Sequence, residues 1–114
     1  MANPTTVTYE DGNNLAAGWI TTDQVPLVAD TYYTGMLLEY DDTTNDSYQA
    51  LASGTLAAIY NGPERTLSTA GVGSVISAGE INEEKLVDAS GAAITLTEDQ
   101  RAAYRDAGFY MKRS

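Results

Sequence analysis

The sequence predicts a mainly β (α+β) fold: a small single domain of short strands, with one C-terminal helix and a flexible N-terminal arm. Three observations predict it. A chain of 114 residues, 43% of them hydrophobic, is enough for one core and too little for two. From Val25 to Ile81, apolar residues recur in short alternating runs, separated by clusters of Asp, Asn, Gly and Pro. Only Thr97–Gly108 carries helix punctuation at both ends.

Residues 1–24 read as the arm and residues 25–114 as the β-rich domain. Met1–Asn14 holds Asn3-Pro4, Gly12, Asn13 and Asn14, and little that can build a core. Within it, Thr5-Thr6-Val7-Thr8-Tyr9 is β-prone, with Thr5, Val7 and Tyr9 on one face and Thr6 and Thr8 on the other. Such a strand either packs on its own domain or pairs with another chain. Leu15–Ile20 follows and contains Trp19, the single tryptophan.

The body starts near Val25-Pro26-Leu27-Val28. Gly35–Tyr40 has strand periodicity, with Met36, Leu38 and Tyr40 facing one way and Glu39 and Asp41 the other. Asp41–Asp46 breaks it as a turn, and Ser47–Leu51 returns as the second strand of a hairpin. Thr55–Tyr60 is a third strand, closed by Asn61-Gly62-Pro63. Gly73–Ile81 is a fourth, with Val75, Ser77 and Gly79 alternating against Ile76 and Ala78. Thr97 and Gln100 form a capping box, and Glu98 and Asp99 suit the helix dipole. Leu96, Ala103, Tyr104 and Ala107 line one side of this helix, and Gly108 stands just past its end. Phe109–Lys112 is a short terminal strand.

Composition narrows function. The chain has neither cysteine nor histidine, which removes disulfides, thiolate metal sites, the commonest general base and every Ser-His arrangement. No base has a visible cause for a shifted pKa, so a non-enzymatic role without a cofactor is expected. Net charge is −10, and residues 1–64 hold nine acids and no Lys or Arg. Direct nucleic-acid binding and an anionic membrane surface are therefore poor matches. The charge confers solubility, or complements a basic partner surface. Met1–Glu10 has no basic n-region and no apolar run, so no export signal is expected.

Few constellations suggest chemistry. Asp41–Asp46 lacks the spacing and the glycine of a calcium loop and reads as a solvated turn. Glu80, Glu83 and Glu84 crowd one segment, but nothing in the sequence desolvates them, and a structural role is expected. Gly71-Val72-Gly73 has no third glycine at nucleotide-loop spacing. Asn45-Asp46-Ser47 matches a glycosylation sequon by chance. Eight tyrosines suit strands and interfaces, and Tyr32-Tyr33 reads as half core, half interface.

The order of segments resembles the head decoration proteins of tailed bacteriophages, the family that includes the lambda decoration protein. Asp30–Leu38 looks like the entry strand, where Thr34 stands in place of a basic residue before Gly35. Gly54–Tyr60 is similar to the central strand, Gly79–Leu86 to the Gly-Glu-apolar-Asn segment, and Gln100–Lys112 to the terminal helix, glycine and strand. The likeness spans roughly residues 25–112. It implies a homotrimer, made in the bacterial cytoplasm, that binds the major capsid protein on the outer surface of the expanded head. The expected capsid contacts in the arm are Thr5, Val7 and Tyr9, together with Trp19. Alternatives are another virion subunit, such as a tail or fibre part, and an acidic DNA-mimic inhibitor.

Overall fold

The computed structural model describes residues 15–41, 47–52 and 55–112. In chain order these form β1 (Ala16–Leu27), β2 (Asp30–Tyr32), β3 (Leu37–Tyr40), β4 (Tyr48–Ala50), β5 (Ala58–Tyr60), β6 (Arg65–Leu67), β7 (Gly71–Asn82), α1 (Glu98–Asp106) and β8 (Phe109–Lys112). A 3-10 turn, Glu83–Lys85, follows β7. The mainly β architecture with one late helix is therefore as the sequence predicts.

The main sheet has the order β1-β4-β3-β5-β7-β8, and β1 also pairs with β7. Strands β1, β4, β3, β5 and β7 thus close on themselves as a ring. The closure is a parallel pair between Leu27 and Tyr48, reinforced by the Val28 amide donating to the Tyr48 carbonyl at 3.1 Å. Closure removes sheet edges that would otherwise pair with other chains. β2 and β6 form a separate antiparallel pair.

Side chains fall into two apolar clusters, one on each side of the ring's wall. Val25, Leu27, Leu38, Ala58, Tyr60 and Val75 pack together, with Tyr48 and Ala50 against them. These residues come from all five ring strands and fill its interior. Tyr32 of β2 joins them, its ring 5.5 Å from that of Tyr60, and its hydroxyl donates to the Val28 carbonyl at 2.6 Å. On the outer side, Leu37, Ile59, Ile76, Ile81 and Phe109 pack with Leu86, Leu96 and Tyr104. This second cluster lies beneath α1 and the segment leading into it. Each fully buried side chain of this size stabilises by ~1.5–3 kcal/mol.

Two layers change several expectations. In β3, Leu37, Leu38 and Glu39 are all buried while Tyr40 is exposed. The expected division into one core face and one solvent face does not hold, because the wall is covered on both sides. The β3–β4 hairpin is present, pairing Leu38 with Ala50 and Tyr40 with Tyr48; residues 42–46 of its turn lie outside the described residues. Leu96, just before α1, and Tyr104 within it are buried as expected, but Ala103 and the C-cap residue Ala107 are exposed. The short β2–β6 pair is not anticipated by any sequence signal.

The expected division after residue 24 falls inside β1. Ala16 through Leu27 pair with β7, and Leu15 is itself in the outer core. The sheet therefore begins at residue 16, and only residues 1–14 precede the described chain.

Within β7, Ile76 and Ile81 both face the outer core although they are five residues apart. An unbroken strand would point them to opposite faces. A register shift resolves this: Thr22 pairs with Ile76 but Thr21 with Ala78, leaving Ser77 as the extra residue of a β-bulge.

Candidate interaction site on the β1–β7–β8 face

A second irregularity positions the most exposed aromatic of the described residues near the chain's N-terminal side. Ala16 pairs with Ile81 and Ile20 with Gly79, so three residues of β1, Ala17-Gly18-Trp19, stand opposite Glu80 alone. Bulged residues bend the strand and re-aim their side chains. Gly79 makes the bulge fit. Its φ is +142°, and a Cβ there would lie 2.5 Å from the Trp19 carbonyl oxygen and 2.6 Å from Ile20 Cα. Only glycine tolerates both the torsion and the approach.

On the other edge of β7, β8 runs parallel, with Gly79 beside Phe109 and Glu80 beside Tyr110. Phe109 and Met111 turn toward the outer core. Tyr110 lies on the opposite face, with Glu80. Trp19 is 54% exposed and Tyr110 41%, yet their rings meet at 6.2 Å, inclined by 54°. Rings at that angle form a corner. The Glu80 carboxylate lies over Gly18, where a Cβ would collide with it. Among the described residues, the Glu80 carboxylate has no hydrogen-bond or ion-pair partner. The result is two exposed aromatic faces and a carboxylate gathered across three strands.

Of the expected arm contacts, Trp19 belongs to this site and sits on β1. Thr5, Val7 and Tyr9 lie outside the described residues. The sequence reading missed Tyr110 and Glu80 as partners of Trp19. The one signal for them is Gly79, a glycine inside a strand pattern, which marks a bulge or a close backbone approach.

Other candidates do not assemble into a site. The three acids Glu80, Glu83 and Glu84 separate. Glu83 accepts from Arg101 at 2.7 Å on each carboxylate oxygen, while Arg101 also donates to Glu98 at 2.9 Å. These bonds, those to Glu83 foremost, hold the Arg101 pKa above its ordinary value. The fork ties the 3-10 turn to α1. Of Asp41–Asp46, only Asp41 is described, and no group of acids fit to hold a metal ion exists among the described residues. Gly71-Val72-Gly73 is extended backbone within β7.

The tyrosines packed in the ring's interior cluster are structural. Burial, then Asp30 and Tyr60, pushes Tyr32 up to about 12. Burial, then the hydrogen bond with Tyr40, pushes Tyr48 up to about 12. Both remain neutral donors or packing groups at neutral pH. No helix of the described residues is long and apolar enough to cross a membrane. No protein-family model matches the chain, and no curated protein matches its sequence.

Proposed function

We propose that this protein is a structural decoration subunit that binds the major capsid protein on the outer surface of an expanded bacteriophage head. The observation that carries the reading is the exposed Trp19–Tyr110 pair at the root of the N-terminal segment. An aromatic pair of this kind is the usual anchor of a protein–protein contact. The β-prone run Thr5–Tyr9 ends ten residues upstream of Trp19 and can add to a sheet edge of a capsid subunit. The family-like order of segments in the sequence is the other support for this reading, although Asp30–Leu38 is not one entry strand but spans β2 and the start of β3.

A homotrimer suits this role. Three weak contacts on one particle gain avidity through effective concentration, which offsets the cost of ordering each segment. The acidic charge favours a basic receiving surface on the shell.

The test is co-sedimentation with expanded, undecorated shells of the cognate phage. The full chain is expected to pellet saturably, and a chain lacking residues 2–14 to pellet more weakly. Absence of pelleting by the full chain on these shells would reject decoration, in favour of another virion subunit or a DNA mimic.

A further inference from the structure

We infer that Trp19, Tyr110 and Glu80 form a cage for one basic side chain, an arginine or a lysine, presented by the partner protein. The inference rests on the reading of this face as a partner-binding surface, and names the chemistry it selects.

Three features converge. The first is the angle of the rings. Trp19 and Tyr110 are inclined by 54° with centroids 6.2 Å apart, and both are exposed, so a cation seated against the pair lies within reach of both π systems. Tryptophan is the strongest aromatic partner for a cation, and arginine the commonest cation found there. The second is the carboxylate. Glu80 stands on the strand between the two rings, in register with Tyr110 and lying over Gly18 beside Trp19. Its carboxylate has no partner of its own among the described residues. A guanidinium that stacks on an aromatic face also presents donors at its edge, which a neighbouring carboxylate accepts. The third is the backbone beneath. The three-residue bulge in β1 and the glycine at position 79 hold Trp19 in place. The corner is therefore preorganised, which lowers the entropic cost of binding.

Charge decides between an apolar and a cationic occupant. An apolar side chain in the corner would strip water from the Glu80 carboxylate without pairing it, a penalty that a basic side chain removes. The chain as a whole carries −10 and attracts the same kind of partner.

Trp19 is the only tryptophan, so its fluorescence reports on this site alone. The full chain would be titrated at low ionic strength with an acetylated, amidated Gly-Arg-Gly peptide, and with the same peptide carrying neutral citrulline in place of arginine. A saturable change with the arginine peptide is expected, about tenfold weaker with citrulline. Glu80→Gln and Tyr110→Leu are each expected to weaken it by a similar factor, while Asp106→Asn, which removes an acid from α1, leaves it unchanged. Equal responses to both peptides, or an unchanged response in Glu80→Gln, would overturn the cage. Shell pelleting separates the two readings. Binding to shells without arginine discrimination rejects the cage alone, and arginine discrimination without shell binding rejects decoration alone.

Discussion

Gly79 lies directly against the backbone of Trp19: a Cβ on Gly79 would stand 2.5 Å from the Trp19 carbonyl oxygen. A residue with no side chain thus determines where the most exposed aromatic of the described residues points. Gly79→Ala is expected to destabilise the domain by about 1–3 kcal/mol, combining torsional strain at positive φ with displacement of the bulge. Urea unfolding would measure the loss. The same variant is expected to alter the Trp19 emission of the folded state, a local effect that a change at a remote glycine would not produce.

The N-terminus of α1 is closed by a reciprocal box. Gln100 donates its backbone amide to Thr97 Oγ1 at 3.1 Å, and the Thr97 amide donates to Gln100 Oε1 at 2.8 Å. Thr97→Ala is expected to cost about 1 kcal/mol in chemical denaturation. Because Leu96 and Tyr104 anchor the helix on the outer core, the loss lowers the midpoint without unfolding α1 separately.

Glu83 and Arg101 meet as a forked pair at 2.7 Å, largely shielded from solvent. Removing one partner leaves the other charge unpaired. Glu83→Gln is expected to lower the urea midpoint more than Glu98→Gln does, since Glu98 is 76% exposed. The double variant Glu83→Gln, Arg101→Met is expected to recover part of the loss. Equal effects of Glu83→Gln and Glu98→Gln would show that the pair does not brace the turn against α1.

Stability is expected to fall on the alkaline side. Tyr32 is raised from 10.0 to about 12 by burial, and Tyr48 by a similar amount. Their neutral forms are favoured in the folded state. Their contribution is complete below pH 10, where the unfolded tyrosines are still neutral. It diminishes as pH rises toward about 12, because the unfolded chain ionises first. Unfolding followed across this window should show the loss, and Tyr32→Phe should reduce its steepness. A stability profile that stays flat from pH 10 to 12 contradicts this account.

Local features were legible in the sequence, and long-range ones were not. Thr97, Gln100 and Gly108 specify the ends of α1 through contacts within a few residues, so composition at those positions is enough. The β3–β4 hairpin was legible for the same reason. Closure of the ring was not, because the Leu27–Tyr48 pair joins strands with no signal linking them. Closure buries Leu38 inside the ring, and the outer layer that includes Leu86, Leu96 and Tyr104 covers Leu37 on the other side, where an alternating pattern implied one exposed face. The fork between Glu83 and Arg101 spans 18 positions and leaves no periodic trace. At the candidate site, Trp19 was legible as a candidate contact of the N-terminal arm, while its exposure on β1 comes from the fold. Its corner with Tyr110 and Glu80 was not, because the bulge opposite Glu80 and the parallel register of β8 exist only in the folded sheet.

The most direct test of the central claim compares exposed aromatics at two places on the surface. Trp19→Ala and Tyr40→Ala would each be mixed with expanded, undecorated shells, Tyr40 being 49% exposed on β3 away from the Trp19–Tyr110 corner. Trp19→Ala is expected to lose at least about tenfold in shell affinity, as for an interface anchor, and Tyr40→Ala to change little. Shell binding by Trp19→Ala at the affinity of the unaltered chain would contradict the claim.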